Sequence, residues 1–248
     1  MKKINQEFKL LFLFLGLAVY FTLLIPTFTS ADPMGANINF VNTATYSPSP
    51  SSRQDAGAQI ITANINIAQQ DSGWKGYVGN VSGLYVLKNS NNFSIYQWPT
   101  AASITGEVYI SRNSSVNFST GAISCASNAQ MVTEQDFLGM GATDTDNINN
   151  TFNSTNHTSF NVGTNPVAQN ACRAIALWVN NTLQAPSPSA LFQEVALFDT
   201  HTLVYAALIN SGQFGFDNTT RYDFQVIIAE NHTSPTGNAY FFYVELGP

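Results

Sequence analysis

The chain has 248 residues, of which only 10% are charged, and a formal net charge of −6 at pH 7. So acidic and charge-poor a composition excludes a nucleic-acid binder, which needs a basic face, and a protein drawn to anionic membrane surfaces. Solubility then has to come from uncharged polar groups, and 27 asparagines, with many serines and threonines, supply them.

The chain opens with three lysines in its first nine residues and runs into Leu10–Ile25, sixteen residues without a charge. Pro26 ends the run, and Thr29 and Ala31 place small side chains at −3 and −1 of a cleavage site. The pattern predicts a signal peptide over 1–31 and an extracellular, cell-surface protein. A retained signal anchor is the alternative, but the run falls short of the ~20 residues that span a bilayer comfortably. Removing 1–31 would leave a net charge of −8.

Residues 32–57 follow as an N-terminal strand and linker. Ile38, Phe40 and Val41 form a short apolar stretch, and 47–57, "SPSPSSRQDAG", has two prolines and no hydrophobic anchor. From residue 58 to 248 the chain reads as one domain.

Within that domain the hydrophobic period is two. In "AQIITANINIA" Ile61, Ala63, Ile65 and Ile67 share a face, and "FSIYQW", "RYDFQVIIAE" and "AYFFYVEL" alternate in the same way. Further strands are expected near 75–88, 105–111, 115–118, 121–126, 158–162, 172–179, 190–198 and 203–209. The fold class is all-β, a β-sandwich of jelly-roll or Greek-key style with an N-terminal extension strand and little helix. Residues 128–157 have a mixed period, and one short helix is expected there, over the open end of the sandwich. The last strand is apolar on both sides, so it is either central in the core or covered, for example by a neighbouring subunit.

The glycine-rich "GWKGYVGNVSG" at 73–83 is no phosphate cradle, because strand rather than helix follows it. Its glycines predict a coiled strand with a bulge between Trp74 and Tyr77. Cys125 and Cys172 have only each other to pair with, and export favours a disulfide. Ten asparagines stand in Asn-x-Ser/Thr triplets: Asn80, Asn92, Asn113, Asn117, Asn149, Asn153, Asn156, Asn180, Asn218 and Asn231. In an exported chain they predict N-linked glycans.

Candidate chemistry is sparse. Asp144 and Asp146 in "DTDNINN" begin like a calcium loop, but Ile148 and Asn149 stand where an oxygen ligand and a glycine belong. No metal or cofactor is expected. Glu194, Asp199 and His201 could act as acid, base and orienter, yet Asp199–His201 reads as a hairpin turn and no nucleophile or metalloprotease motif is present. A non-enzymatic protein is expected. Trp74, Trp98 and Trp178, with Tyr77 and Tyr96, could form a sugar-stacking platform, or fill the core as large aromatics usually do.

"GWKGYVGNVSG", "SIYQW" at 94–98, "GEVYIS" at 106–111, "CAS" from Cys125 and the "YDFQVII…YFFYVEL" end together resemble archaeal secreted cell-surface β-glycoproteins. The resemblance implies a surface β-protein and carries no catalytic residues. The function expected is an extracellular structural glycoprotein, a subunit of a surface filament or layer. Copies would join head to tail, with Ile38, Phe40 and Val41 as a donated strand. Its partners would be other copies of itself and N-linked glycans, with no nucleic acid and no membrane after signal cleavage. The alternative is a monomeric secreted module that binds carbohydrate or a surface.

Overall fold

A computed structural model describes residues 33–43, 73–82, 84–91, 93–99, 104–232 and 237–247. The chain divides into Met1–Ser30 and Ala31–Pro248, and all described residues belong to the second unit. The expected signal peptide, the 47–57 linker and the 58–68 strand lie outside the described residues.

The fold is all-β and sandwich-like. Its main sheet is antiparallel and combines β1 (Met34–Gly35), β15 (Phe241–Leu246), β5 (Gly106–Ser111), β11 (Leu203–Leu208), β10 (Gln193–Phe198) and β6 (Ser124–Cys125) in that order. A seventh strand, β9 (Ala174–Ala176), also pairs with β10. β5 lies between β11 and β15, far from both in sequence, which is the non-local pairing of Greek-key-style sheets.

Both faces of this sheet are buried, and strand parity assigns each residue to a side. Val108, Ile110, Ala196, Tyr205 and Ala207 point to one face. There they meet helices α1 (Asn128–Leu138) and α2 (Ile148–Thr151) and the ribbon formed by β2 (Trp74–Gly79) and β14 (Phe224–Ala229). Tyr109, Val195, Leu197, Val204, Ala206 and Tyr243 point to the other face. They are covered by Phe118, Ile123 and Cys172 and by the hairpin of β7 (Phe160–Val162) and β8 (Asn165–Val167). The two-sided apolar β15 is therefore covered within its own chain: Phe242 meets Tyr77, and Tyr243 meets Phe118.

The helical segment differs from the expectation in place and number. Two helices form, and α1 lies on a sheet face, with Met131 and Leu138 in the core. It starts at a capping box between Ser127 and Gln130 and ends at Gly139 in the left-handed region, φ 70°. Its buried stripe, Met131, Glu134, Gln135 and Leu138, has helical spacing, but two of the four residues are polar. Apolar periodicity alone therefore did not reveal it. Arg112 holds Glu134 through two hydrogen bonds of 2.6 and 2.7 Å, and Gln135 Oε1 accepts from Asn149 N at the start of α2.

The expected bulge in β2 is absent. β2 and β14 pair without a register break from Phe224↔Gly79 to Ala229↔Trp74. Two-stranded ribbons twist strongly, and that twist lets Trp74 reach Phe152 while Tyr77 reaches Phe242. Gly73 is fixed by close approach instead: a Cβ there would lie 1.9 Å from the His232 ring. The 75–88 strand is interrupted, and its second part, β3 (Leu84–Lys88), pairs with β4 (Ser94–Pro99) as a separate hairpin. The strand expected at 115–118 is a loop.

The disulfide forms between Cys125 and Cys172, with 4.9 Å between Cα atoms. β6 pairs with Leu197 and Phe198, and β9 with Gln193–Val195, so both short strands share one edge of β10. The disulfide ties β6 to the residues just before β9.

Candidate assembly surface and the buried polar groups

The N-terminal segment lies along the edge of β15. Met34 pairs with Val244, Gly35 with Tyr243, and Ala36 N donates to Phe242 O at 2.8 Å. The segment then leaves the sheet. Ile38, Phe40 and Val41 are 55%, 76% and 89% exposed, so the three residues expected to donate a strand fill no core among the described residues. A second apolar surface is the β3–β4 hairpin, where Phe93, Ile95 and Tyr96 are exposed.

The residues weighed for catalysis are not brought together. Glu194 sits fully buried on β10, where its Oε2 accepts from Ile227 N at 2.9 Å. Burial raises its pKa well above the ordinary carboxylate range, outweighing that hydrogen bond. Asp199 lies five residues along, about 17 Å for extended chain, and caps the β10–β11 turn. Its Oδ1 accepts from the amides of His201 and Thr202 at 3.0 and 2.7 Å, and its Oδ2 from Asn113 Nδ2 at 2.7 Å. His201 is exposed on that turn.

In the Asp144–Asn150 stretch, Asp144 and Asn147 serve a local turn and a helix cap. Asp144 Oδ2 accepts from Gly141 N, and Asn147 caps α2 through Asn150 N. Asp146 O accepts from Trp74 Nε1 at 2.8 Å. Among the described residues no cluster of three or more His, Cys, Asp or Glu side chains could hold a metal. A depression of about 240 Å³ is lined by Thr158, Pro188, Leu191, Gln193, Leu208 and Asn210, among others. The polar atoms of Gln193 are all engaged by Thr158 N, Pro188 O and Ala190 O, so it offers a ligand none of its own groups.

The aromatic platform is dispersed. Trp74 and Tyr77 are half-buried in the ribbon's packing, Tyr96 is exposed on the β3–β4 hairpin, and the Trp98 side chain lies outside the described residues. Trp178 is exposed, and Gln225 links its carbonyl to the amide of a different exposed aromatic, Phe216.

The sequons also separate. Asn80, Asn117, Asn153, Asn156, Asn180 and Asn218 are exposed, Asn231 is half-buried and Asn92 lies outside the described residues. Asn113 is held by Asp199, and Asn149 Oδ1 is buried.

Two buried groups were not singled out from sequence. Glu107 on β5 and Glu245 on β15 are direct cross-strand partners, and both are buried. Tyr109 Oη and Gly163 N donate to Glu245 Oε2 at 2.9 and 2.8 Å. Burial, and then the Glu245 charge, push the Glu107 pKa up to about 8. A glutamate in each of two expected strands, among apolar neighbours, was the available signal. Their pairing depended on register. His157 is fully buried beside the disulfide: its Nε2 accepts from Cys172 N at 3.0 Å, so its other nitrogen, Nδ1, carries the proton toward Thr158 O at 2.6 Å.

No protein-family model, curated protein or solved structure matches this chain. No helix among the described residues is long and apolar enough to cross a membrane. A disulfide is compatible with an extracellular protein.

Proposed function

We propose that this chain is an extracellular structural glycoprotein that assembles head to tail into a surface filament or layer through its N-terminal strand. The observation that carries this reading is the segment 34–41. It touches a sheet edge for two residues and then presents Ile38, Phe40 and Val41 to solvent. Exposed β-edges recruit strands, and an apolar segment left exposed among the described residues favours a partner outside. The β15 edge that receives Met34 and Gly35 in the same chain offers the same backbone groups to the segment of a neighbouring copy. Such an exchange is heterologous and propagates instead of closing. No catalytic role is assigned.

Electron microscopy of the secreted protein tests this reading directly. Filaments or sheets are expected, and monodisperse particles at high concentration would refute it. The second reading, a monomeric module for carbohydrates or surfaces, draws on exposed Trp178. Glycan binding by monomers that is lost in Trp178→Ala would favour it.

A further inference from the structure

We infer that an aromatic patch of Trp178 and Phe216, joined through Gln225, is covered by the chain's own N-linked glycans, attached at Asn180 and Asn218. The inference rests on the glycoprotein reading above and adds where the sugars lie and what they do.

The patch is a built surface. Gln225 of β14 joins its two sides, with Nε2 donating to Trp178 O at 2.9 Å and Oε1 accepting from Phe216 N at 2.7 Å. Asn180 N and Asn181 N donate to Gly215 O and Phe216 O, each at 2.8 Å. A Cβ on Gly215 would lie 2.2 Å from the Tyr222 ring, so glycine is what lets that ring approach. Phe216 stacks on Tyr222, at 6.3 Å and 8° between planes, whereas Phe214 lies under the Arg221 guanidinium at 4.0 Å on the other face of the hairpin of β12 (Gln213–Phe214) and β13 (Arg221–Tyr222). Trp178 and Phe216 are nevertheless 50% and 48% exposed. Solvent-facing aromatics of this size leave apolar area uncovered at a cost.

Both sequons border the patch. Asn180-Asn181-Thr182 forms a tight turn closed by mutual hydrogen bonds of 2.9 Å between Val179 and Thr182. Its two asparagines have φ of 52° and 58°, which Asn tolerates better than most residues. Asn218-Thr219-Thr220 lies in the loop between Phe216 and Arg221, turned by Asp217 Oδ1 accepting from Thr219 N and Thr220 N. Asn180 and Asn218 are exposed, and neither side chain has a hydrogen-bond partner among the described residues, unlike Asn113.

Attachment joins Asn Nδ2 to the anomeric carbon of a phosphate-activated, lipid-linked saccharide. The donor's phosphate leaves and the amide loses one proton. A pyranose ring then offers an apolar C–H face to Trp178 or Phe216 and turns its hydroxyls to water. This removes apolar surface from solvent while leaving the exterior uncharged. Glycans on both borders would also obstruct a flat protein partner, which favours sugar over a second copy as the cover.

The test uses the full chain secreted from a glycosylating host, compared before and after enzymatic glycan removal and with Asn180→Gln and Asn218→Gln. Glycopeptide mass spectrometry should find both sites occupied. Hydroxyl-radical labelling of Trp178 and Phe216 should rise several-fold when the glycans are lost, while labelling of Phe40, remote in sequence from every sequon, stays constant. Occupancy at Asn117 or Asn153 with Asn180 and Asn218 bare would overturn the inference and leave the glycoprotein reading intact. A chain with no glycan at any site would overturn both. Occupied sites with unchanged Trp178 labelling would show that the sugars point away, and the inference fails.

Discussion

Glu107 and Glu245 are cross-strand partners on β5 and β15 and both are buried, so the proton that Glu107 keeps matters to the stability of the sheet. Glu107 keeps its proton in the fold up to about pH 8, whereas the unfolded chain releases it near 4.5. The folded state therefore binds more protons across that window. Its stabilisation is complete below pH 4.5 and is lost as pH rises through 8. The amount is on the order of 4 kcal/mol. Glu194, buried and shifted the same way, adds to the trend. The melting temperature should fall from pH 5 to pH 9, and Glu107→Gln should flatten much of the slope. A wild-type profile flat over that range would refute the assignment. A second prediction concerns Arg112, whose guanidinium holds buried Glu134 and lies 3.8 Å from the Phe137 ring centre. Arg112→Ala strands a buried carboxylate and should cost about 3 kcal/mol in denaturant unfolding.

At the scale of elements, short strands depend on what holds them. β6 and β9 contribute two and three residues to one edge of β10, too few to persist alone, and the disulfide with its 47-residue separation restrains both. Chain entropy assigns such a loop about 4 kcal/mol. Reduction, or a Cys125→Ser/Cys172→Ser variant, should speed hydrogen exchange at 124–126 and 173–176 first. The central β5–β11 amides should stay protected; their simultaneous loss would mean that the edge is not a separate unit. Helix α1 is held by its buried stripe, so Met131→Ala should cost about 2–5 kcal/mol, as read from denaturant unfolding. Ser127→Ala, which removes the cap, should cost about 1 kcal/mol.

At the scale of the whole molecule, the N-terminal segment distinguishes a subunit from a self-contained domain. Deleting residues 32–46 should leave a folded monomer by circular dichroism and abolish polymer by light scattering. β1 contributes only Met34 and Gly35 to a sheet whose other strands bury both faces. Collapse of the deletion variant would mean that the segment is an internal strand and would remove the basis for strand exchange. How far the fold was legible varied with the signal. Strands such as β14 and β15 were readable because β-branched and aromatic residues run between turn residues, a signal local to the chain. α1 was legible only as one short helix somewhere in 128–157, because Glu134 and Gln135 occupy its buried face and their partners, Arg112 and Asn149, come from elsewhere in the sequence.

The amino-acid order by itself determined the all-β class, the cysteine pairing and the positions of the sequons, since these follow from periodicity, from a count of two cysteines and from local triplets. Tertiary structure decided which of those features have neighbours. It set Glu107 against Glu245, drew Asn113 onto Asp199, linked Trp178 to Phe216 through Gln225, and left Ile38, Phe40 and Val41 outside the core. Each of these outcomes depends on register and packing between segments far apart in the chain, and no local pattern encodes a contact whose two halves are separated by a hundred residues of intervening fold.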